Sequence, residues 1–402
     1  MDSLRTREFR RILLIKLSAV GDVVHTIPFL NKLRRRYPQA RIDWLLTPAI
    51  AELVGHHPAI TNVVLFVRQH WETPWWPGWR ALAGAARLLA ALRAARYDLV
   101  IDLHGQFRTA LFTLATGAPV RIGFDRPRAE VWDASDRKLP AEARKHAWRG
   151  AREGSWLAYS HHIPVPTLDI HAVDRYLSVG PILGLDDGPA DFSFPIPPAA
   201  VTRVAQLLRQ HGIAGEDSRL LLLSPASKWE TKQWRSERFA EVARHLLRRG
   251  WPVALIGSGR DREACGHVAA AAPGVIDLCG QTTLSELAAL VQRSAGCVTN
   301  DSGPMHLAVA LGRPVISIFG PTDPLWIGPY RRPDAALKAD LPCAPCYLRE
   351  LRRCPHDHAC MREVSADAVI ERIEASLAGP GATGTVPPVD RSRSQADLAV
   401  RR

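Results

Sequence analysis

Strand-like and helix-like segments alternate along most of this 402-residue chain, and that alternation limits the fold more than any other feature. The first example is ILLIKLSAVGDVVHTIPFL, from Ile12 to Leu30, where branched apolar residues lead through a small turn into an apolar stripe with helical spacing. Repeated units of this kind are typical of parallel sheets, because parallel strands need a crossover helix between them. We therefore predict a doubly wound α/β fold with parallel sheets.

The alternation runs twice, which predicts two Rossmann-like domains in tandem. The first covers 1–183, and the Pro- and Asp-rich stretch at 184–200 is interpreted as a linker. The second covers 201–363. We expect a last helix over 364–378 that packs back on the first domain, and a disordered tail at 379–402. Ligands of open α/β sheets lie outside the carboxyl ends of the strands, so we expect the site in a cleft between the domains.

Composition and charge narrow the class of protein. The formal net charge of +12 predicts an anionic partner, which leaves nucleic acid, an acidic substrate and an acidic membrane surface open. The apolar runs are too short to span a bilayer and the first residues lack a signal-peptide pattern, so we expect a soluble cytoplasmic protein. Seven cysteines, an odd number in a long chain, argue against a disulfide framework.

Three strand-to-helix turns of the second series carry residues suited to a nucleoside diphosphate. The turn NDSGPMH opens a helix whose free N–H groups and positive dipole end favour a phosphate, although an ordinary capped helix has the same pattern. The loop SKWETKQW supplies lysines and hydroxyls, and the turn GSGRDRE supplies a carboxylate suited to ribose hydroxyls. The predicted donor-binding residues are Ser227, Lys228, Thr231, Gly257, Asp261, Asp301, Ser302, Gly303 and His306.

The turn SAVGDVVH places a carboxylate where phosphate-binding loops avoid negative charge. Gly21 permits the sharp turn, and Asp22 lies at or near the start of the following helix. Asp22 can cap that helix, an interaction worth about 0.5–2 kcal/mol. It can also face the cleft and take a proton from an attacking hydroxyl. The local sequence leaves both roles open.

Four motifs together resemble glycosyltransferase family 9, the heptosyltransferase family. KLSAVGDVVHTIP, SKWETKQW, NDSGPMHLA and IFGPTDP occur in the family's order, within a match from about Arg11 to Leu377, and HAVDRY at 171–176 resembles the family's segment before the linker. The resemblance implies a GT-B fold, in which two Rossmann-like domains face each other across a cleft. It implies an ADP-heptose donor bound by the second domain and a Kdo- or heptose-bearing lipid A acceptor, from lipopolysaccharide inner-core synthesis, bound by the first.

The resemblance also implies roles for individual residues. Asp22 would be the catalytic base of an inverting displacement, and Lys232 would neutralise the departing diphosphate. Ser302 stands where many relatives have threonine, and the SKWETKQW loop looks closer to a third-heptose or generic member than to a first-heptose enzyme. We expect no cofactor or metal, because lysines and a helix N-terminus can stabilise the diphosphate. The expected acceptor contacts are Lys16, Ser18, His25 and Arg121.

Two clusters leave alternatives open. The stretch RQHWETPWWPGWR at 68–80 holds four tryptophans among arginines, which suits either the surface of the inner membrane or a simple cap on the domain. The stretch CAPCYLRELRRCPHDHAC has spacing that can bind zinc, but it fits no finger pattern, so reduced cysteines that pack a loop are favoured. The residues concerned are Cys343, Cys346, Cys354, Cys360, His356 and His358.

Two other classes of function fit the sequence less well. An NAD-dependent dehydrogenase is disfavoured because no G-x-G-x-x-G follows any strand. A basic nucleic-acid-binding protein would explain the charge, but no binding motif accompanies it. We therefore expect a monomeric transferase at the cytoplasmic face of the inner membrane, with no nucleic-acid partner.

Overall fold

The computed structural model describes residues 4–67, 79–126, 150–213 and 219–378. Within them, the first domain has a parallel six-stranded sheet with helices on both faces. Its strands are β1 (Arg11–Ile15), β2 (Arg41–Leu46), β3 (Asn62–Leu65), β4 (Leu99–Asp102), β5 (Val120–Phe124) and β6 (His161–Ile163), in the order β3-β2-β1-β4-β5-β6. Its helices are α1 (Val20–Arg36), α2 (Pro48–Val54), α3 (Trp79–Ala94), α4 (Phe107–Thr116), α5 (Ala172–Leu177) and α6 (Gly180–Leu183), with a 3-10 helix at Ser155–Ala158.

The second domain repeats this topology among the described residues. Its strands are β7 (Leu221–Ser224), β8 (Val253–Leu255), β9 (Ile276–Asp277), β10 (Gly296–Asn300), β11 (Val315–Phe319) and β12 (Ala336–Lys338), in the order β12-β11-β10-β7-β8-β9. Its helices are α7 (Pro198–Gln210), α8 (Ser236–Arg248), α9 (Arg262–Ala271), α10 (Leu284–Arg293), α11 (Gly303–Ala310), α12 (Pro324–Ile327), α13 (Ala359–Arg362) and α14 (Ala366–Ala378). The prediction of two doubly wound domains is confirmed.

The central strands are buried on both faces, which explains their unbroken apolar sequences. All residues of β4, β7, β10 and β11 are buried. A parallel sheet is covered by crossover helices on both sides, so its inner strands have no polar face. In each sheet the strand order reverses beside the first strand, between β1 and β4 and between β7 and β10. These two switch points are where open α/β sheets bind ligands.

The last helix does not pack back on the first domain, and this expectation was wrong. Val369 and Ile373 of α14 are fully buried in the core of the second domain. The helix lies against α8, β10 and β11, and His245 of α8 hydrogen-bonds to Glu374 at 2.9 Å. Its apolar stripe covers a part of the second sheet that would otherwise be exposed, so α14 belongs to that domain.

The two domains share a hydrophobic interface beside the cleft. Leu307 of α11 and Ala288 of α10 belong to the same buried cluster as Ile27 of α1. The Ser285 hydroxyl donates to the Glu52 carbonyl at 2.7 Å, from the second domain to the first. The residues between α6 and α7 run along α1, where Lys32 holds them. The domains are therefore in direct contact and not joined by the linker alone.

Some expectations fall outside the described residues. These are the tryptophan-rich stretch over 68–78 and the tail at 379–402. Among the helices that the structure describes, none combines the length and the hydropathy needed to cross a bilayer.

Lys32 should hold the linker to the first domain. Its buried Nζ donates to the Asp186 carbonyl at 2.9 Å, to the Asp186 carboxylate at 2.7 Å and to the Gly188 carbonyl at 2.6 Å. Lys32→Met removes the buried donor of all three hydrogen bonds, so we expect the free energy of unfolding to fall by about 1–3 kcal/mol. Urea unfolding measures this.

The matched control is Arg35→Met. Arg35 pairs with the same Asp186 carboxylate at 3.2 Å, but 47% of its side chain is exposed. An exposed pair contributes about 0.2–1 kcal/mol, so this variant should unfold near the wild-type midpoint. Equal losses from the two variants would contradict the role given to Lys32.

Candidate active site

The two topological switch points face each other across the domain interface. The first turn of α1, after β1, meets the first turn of α11, after β10. A Cβ atom on Gly21 would lie 2.4 Å from Cδ2 of His306, and one on Gly303 would lie 3.4 Å from the Val20 side chain. Glycine at position 21 is therefore required for this close approach. The Asp22 carboxylate of the first domain and the N-terminus of α11 in the second border one cleft.

Asp22 is the third residue of α1 and uses its two carboxylate oxygens differently. Oδ2 accepts a hydrogen bond from the Ala19 N–H at 3.3 Å, which caps the helix. Oδ1 accepts a hydrogen bond from the Tyr176 hydroxyl at 2.9 Å and lies 3.5 Å from the Lys16 ammonium. The Asp22 side chain is still 41% exposed. Capping and access to the cleft, which the sequence left as alternatives, are both present in one side chain.

The surroundings of Asp22 favour its ionised form. Burial would raise the pKa of the carboxyl group, but the Lys16 ammonium, the nearby His104 and the Tyr176 hydroxyl more than offset burial and lower that pKa. Burial lowers the pKa of Lys16, which Asp22 partly restores. Lys16 Nζ also lies 4.7 Å from the centre of the Tyr176 ring. Asp22 is therefore a carboxylate at neutral pH, the form that a general base needs.

The sequence missed two of the groups around Asp22. His104 follows β4, the neighbour of β1, and burial lowers its pKa to about 4. The position of His104 in LHG at the end of a predicted strand was a usable signal, because adjacent parallel strands end at the same edge. Tyr176 lies 154 residues from Asp22 and reaches it only because α5 packs on α1. The sequence around Tyr176 gives no direct signal of this contact.

Three histidines join the domains beside the cleft: His25 and His306 are buried and His171 is partly buried. The ring centre of His25 lies 4.4 Å from that of His306 and 5.2 Å from that of His171, and both pairs meet edge to face. Nδ1 of His171 accepts from the Val173 N–H, so Nε2 donates to the Gly328 carbonyl at 3.1 Å. Burial lowers the pKa of all three, for His306 to about 4. The cluster is therefore neutral at physiological pH.

Lys232 and Asp301 form the main ion pair on the donor side. Lys232 Nζ lies 2.5 Å from Oδ2 of Asp301, and the Thr322 hydroxyl donates to the same oxygen at 2.6 Å. Lys232 Nζ also lies 4.3 Å from the centre of the Trp229 ring. Thr322, in the IFGPTDP motif, was not among the predicted site residues. These contacts fix a lysine next to the N-terminus of α11, where positive charge and free N–H groups favour an anion.

Two other predicted donor residues, Ser227 and Ser302, also lie around this helix N-terminus. The Ser227 hydroxyl donates to the Asp301 carbonyl at 3.3 Å, and the Ser302 hydroxyl lies 2.9 Å from that of Thr299. Lys228 is exposed on the same loop. Asp261 accepts from the N–H and the hydroxyl of Ser258, at 2.7 and 2.8 Å. The Asp261 carboxylate thus fixes the turn that begins at Gly257.

The structure does not bring two predicted site residues into the cleft. The Thr231 hydroxyl is buried and donates to the Leu348 carbonyl at 2.6 Å, so it holds the cysteine-rich loop. The Arg121 guanidinium donates to the carbonyls of Ala118 and Ala158. Ala118 precedes β5, so this side chain points away from the carboxyl edge. Both hydroxyl and guanidinium already have structural partners. Ser18 is half-buried in the β1–α1 turn.

Comparison with known proteins decides the family. The family model for glycosyltransferase family 9 (heptosyltransferase) matches residues 85–149 and 141–355. The chain belongs to glycosyltransferase family 9. It is 30% identical to lipopolysaccharide heptosyltransferase 1 of Pseudomonas aeruginosa, over 92% of this chain and 99% of that protein. It is 27% identical to lipopolysaccharide heptosyltransferase 3 of Escherichia coli, over 77% of this chain and 83% of that protein. This family 9 protein is therefore a glycosyltransferase.

Solved structures agree on the fold. A glycosyl transferase family 9 protein from Veillonella parvula superposes with a TM-score of 0.72 at 22% identity, over 92% of this chain and 97% of that one. The Escherichia coli heptosyltransferase WaaC with ADP superposes with a TM-score of 0.67 at 24% identity, over 91% and 99%. The GT-B fold implied by the sequence motifs is confirmed.

The cysteine-rich loop encloses a small cavity. Its four cysteines and His356 line a cavity of about 380 Å³. Burial raises the pKa of Cys346, and it raises that of Cys360 to about 12, so both thiols are protonated at neutral pH. Among the described residues, three potential metal ligands lie close enough together to share one ion. They are Cys265, Asp277 and Cys279, outside this loop.

Tyr176 should set the pH dependence of the reaction through Asp22. Tyr176→Phe removes a hydrogen bond that stabilises the carboxylate, so the pKa of Asp22 rises and the acid limb of kcat/KM moves to higher pH. At neutral pH Asp22 stays ionised, but its carboxylate loses the hydrogen bond that positions it. We therefore expect kcat/KM at neutral pH to fall about threefold to tenfold. The measurement is kcat/KM against pH.

Tyr330→Phe is the matched control, because the Tyr330 hydroxyl donates to Asp174 at 2.7 Å and not to Asp22. Its acid limb should coincide with that of the wild type. A uniform loss in Tyr176→Phe at every pH, with the limb unmoved, would reduce Tyr176 to a packing residue.

Proposed function

We propose that this protein transfers a heptose from ADP-heptose to the inner core of lipopolysaccharide, with inversion at the anomeric carbon. The donor would occupy the second domain and a Kdo- or heptose-bearing lipid A acceptor the first. Support for the donor comes from the WaaC homologue with bound ADP. Support for the acceptor comes from relatives named as lipopolysaccharide heptosyltransferases.

One observation carries the mechanism: an ionised, partly exposed carboxylate lies across the cleft from a lysine at a helix N-terminus. In the proposed step, Asp22 takes the proton of the acceptor hydroxyl as its oxygen attacks the anomeric carbon. The bond to the ADP oxygen breaks on the opposite face. A single base suits this direct displacement, whereas a double displacement needs a second carboxylate as nucleophile.

The leaving diphosphate would be stabilised by Lys232 and by the N-terminus of α11. Lys232 supplies charge, while the backbone N–H groups at Ser302 and Gly303 supply hydrogen bonds that need no reorganisation during the reaction. Asp301, held by Thr322, keeps Lys232 beside this helix end. The turn at Gly257 and Asp261 is the proposed ribose contact. His306 borders both halves of the site and is proposed to contact the donor.

The acceptor would lie on the first domain, against Asp22. Lys16 and Ser18 follow β1, and His25 is one helical turn further along α1. Nδ1 of His25 is buried and has no hydrogen-bond partner within the described part of the chain. A polar atom in this state favours an incoming ligand group. Because the acceptor is a lipid, the enzyme is proposed to work at the cytoplasmic face of the inner membrane. It is also proposed to be a monomer.

The test is turnover of ADP-heptose with a panel of defined core-truncated lipopolysaccharides, which accept the first, second or third heptose. The wild type should transfer to one class of acceptor. Asp22→Asn keeps the shape of the side chain but cannot take a proton, so kcat should fall about 100- to 10,000-fold. Undiminished kcat in this variant would remove Asp22 from its role. Absence of turnover with every acceptor would refute the proposed substrate pair.

A further inference from the structure

Exposed apolar side chains are concentrated on one side of the first domain. Leu82, Phe107, Leu111, Leu114 and Leu157 are between 41% and 80% exposed, and we call them the α4 surface. Helix α4 packs against α3, which carries Leu82, and against the 3-10 helix that carries Leu157. Single exposed leucines are ordinary, but a contiguous apolar patch on a soluble domain marks an interaction site.

Helix α4 is apolar on two opposite sides. Thr109, Ala110, Phe112 and Thr113 are buried against the domain. Phe107, Leu111 and Leu114 follow the spacing i, i+4, i+7 and therefore share one outward stripe. A helix that served only the core of the domain would have polar residues on that stripe. The outward stripe therefore indicates a partner.

The charge around the α4 surface identifies the kind of partner. The sequences of α3 and α4 contain four arginines and no aspartate or glutamate. Arg87 is exposed, and the guanidinium carbon of Arg108 lies 5.4 Å from the centre of the Phe66 ring. Within the described part of the chain, the Glu153 carboxylate lies beside this surface and accepts from the Phe107 N–H at 3.2 Å. Apolar side chains among arginines suit an anionic lipid surface. The apolar side chains enter the boundary between headgroups and acyl chains, and the anionic headgroups attract the arginines.

The location of the surface links it to the cleft. Helices α3 and α4 both follow parallel strands, so each begins at the carboxyl edge of the sheet, where Asp22 lies. Phe107 is three residues beyond His104, one of the groups that surround Asp22. A lipid-anchored acceptor would therefore extend from the membrane directly into the acceptor side of the cleft.

We propose that the α4 surface rests on the anionic lipid surface that holds the acceptor. The proposal deepens the proposed function and rests on it for the identity of the acceptor. The contact is reversible, since only a few side chains enter the boundary of the lipid and no described helix is long and apolar enough to cross it. It orients the first domain so that the cleft opens toward the membrane.

Vesicle flotation tests the contact without any catalytic step. The probes are vesicles of phosphatidylethanolamine with phosphatidylglycerol, and vesicles of phosphatidylcholine alone. The wild type should float with the anionic vesicles, and the double variant Leu114→Asp/Leu157→Asp should lower the ratio of bound to free protein about tenfold or more. The control is Val201→Asp/Leu351→Asp, which changes exposed apolar residues of the second domain and should float like the wild type. Equal flotation of both double variants would overturn the proposal.

Two further readouts separate this proposal from its rivals. With a deacylated, water-soluble acceptor, the transfer rate of the Leu114→Asp/Leu157→Asp variant should equal that of the wild type. With an acceptor embedded in vesicles, the transfer rate of the variant should be several-fold lower. Loss with both acceptors would overturn the docking role, whereas inactivity of the wild type with both would refute the proposed function and leave the flotation result standing. Light scattering that gives a wild-type dimer and a monomeric variant would assign the surface to a second copy instead.

Discussion

The contact of the Asp22 carboxylate with Lys16 and Tyr176 is the interaction on which the rest of the site depends. The three groups come from the end of β1, the first turn of α1 and helix α5, so the first domain must be folded before they meet. An aspartate in partly buried surroundings would tend to be protonated. The lysine and the hydroxyl reverse that tendency, and the second oxygen still caps the helix. One side chain thus serves the fold and stays available for chemistry.

The second domain has the same topology as the first, but its switch point favours negative charge where that of the first carries it. Its switch point carries a lysine and a helix N-terminus, both suited to negative charge, where the first domain carries a carboxylate. The two helix ends approach closely because position 21 has no side chain. A base would be harmful beside a diphosphate but is useful across a cleft from one. The proposed division of labour between the two similar domains follows from this separation of charges.

Most of the fold and the two turns that border the cleft could be predicted from the sequence, because apolar runs and turn residues determine the strands and helices locally. The strand-to-helix turns that carry Asp22 and Asp301 were both predicted, and both lie at the carboxyl ends of strands. Helix α1 begins at Val20, close to the start that the position of Asp22 in the sequence indicated. The packing of α14 and the contact of Tyr176 with Asp22 were out of reach, because both depend on which distant surfaces meet. Thr231 and Arg121 have the right chemistry for a site, but the folded chain engages them elsewhere.

The most direct test is the affinity for ADP, measured by calorimetry, of Asp22→Asn and Lys232→Met beside the wild type. If acceptor chemistry and leaving-group chemistry lie on opposite sides of the cleft, Asp22→Asn should bind ADP within about twofold of the wild type while its turnover collapses. Lys232→Met should bind ADP about tenfold or more weakly, as expected for the loss of a charged hydrogen bond. Weakened ADP binding in Asp22→Asn, or unchanged binding in Lys232→Met, would contradict the division of roles between the two domains.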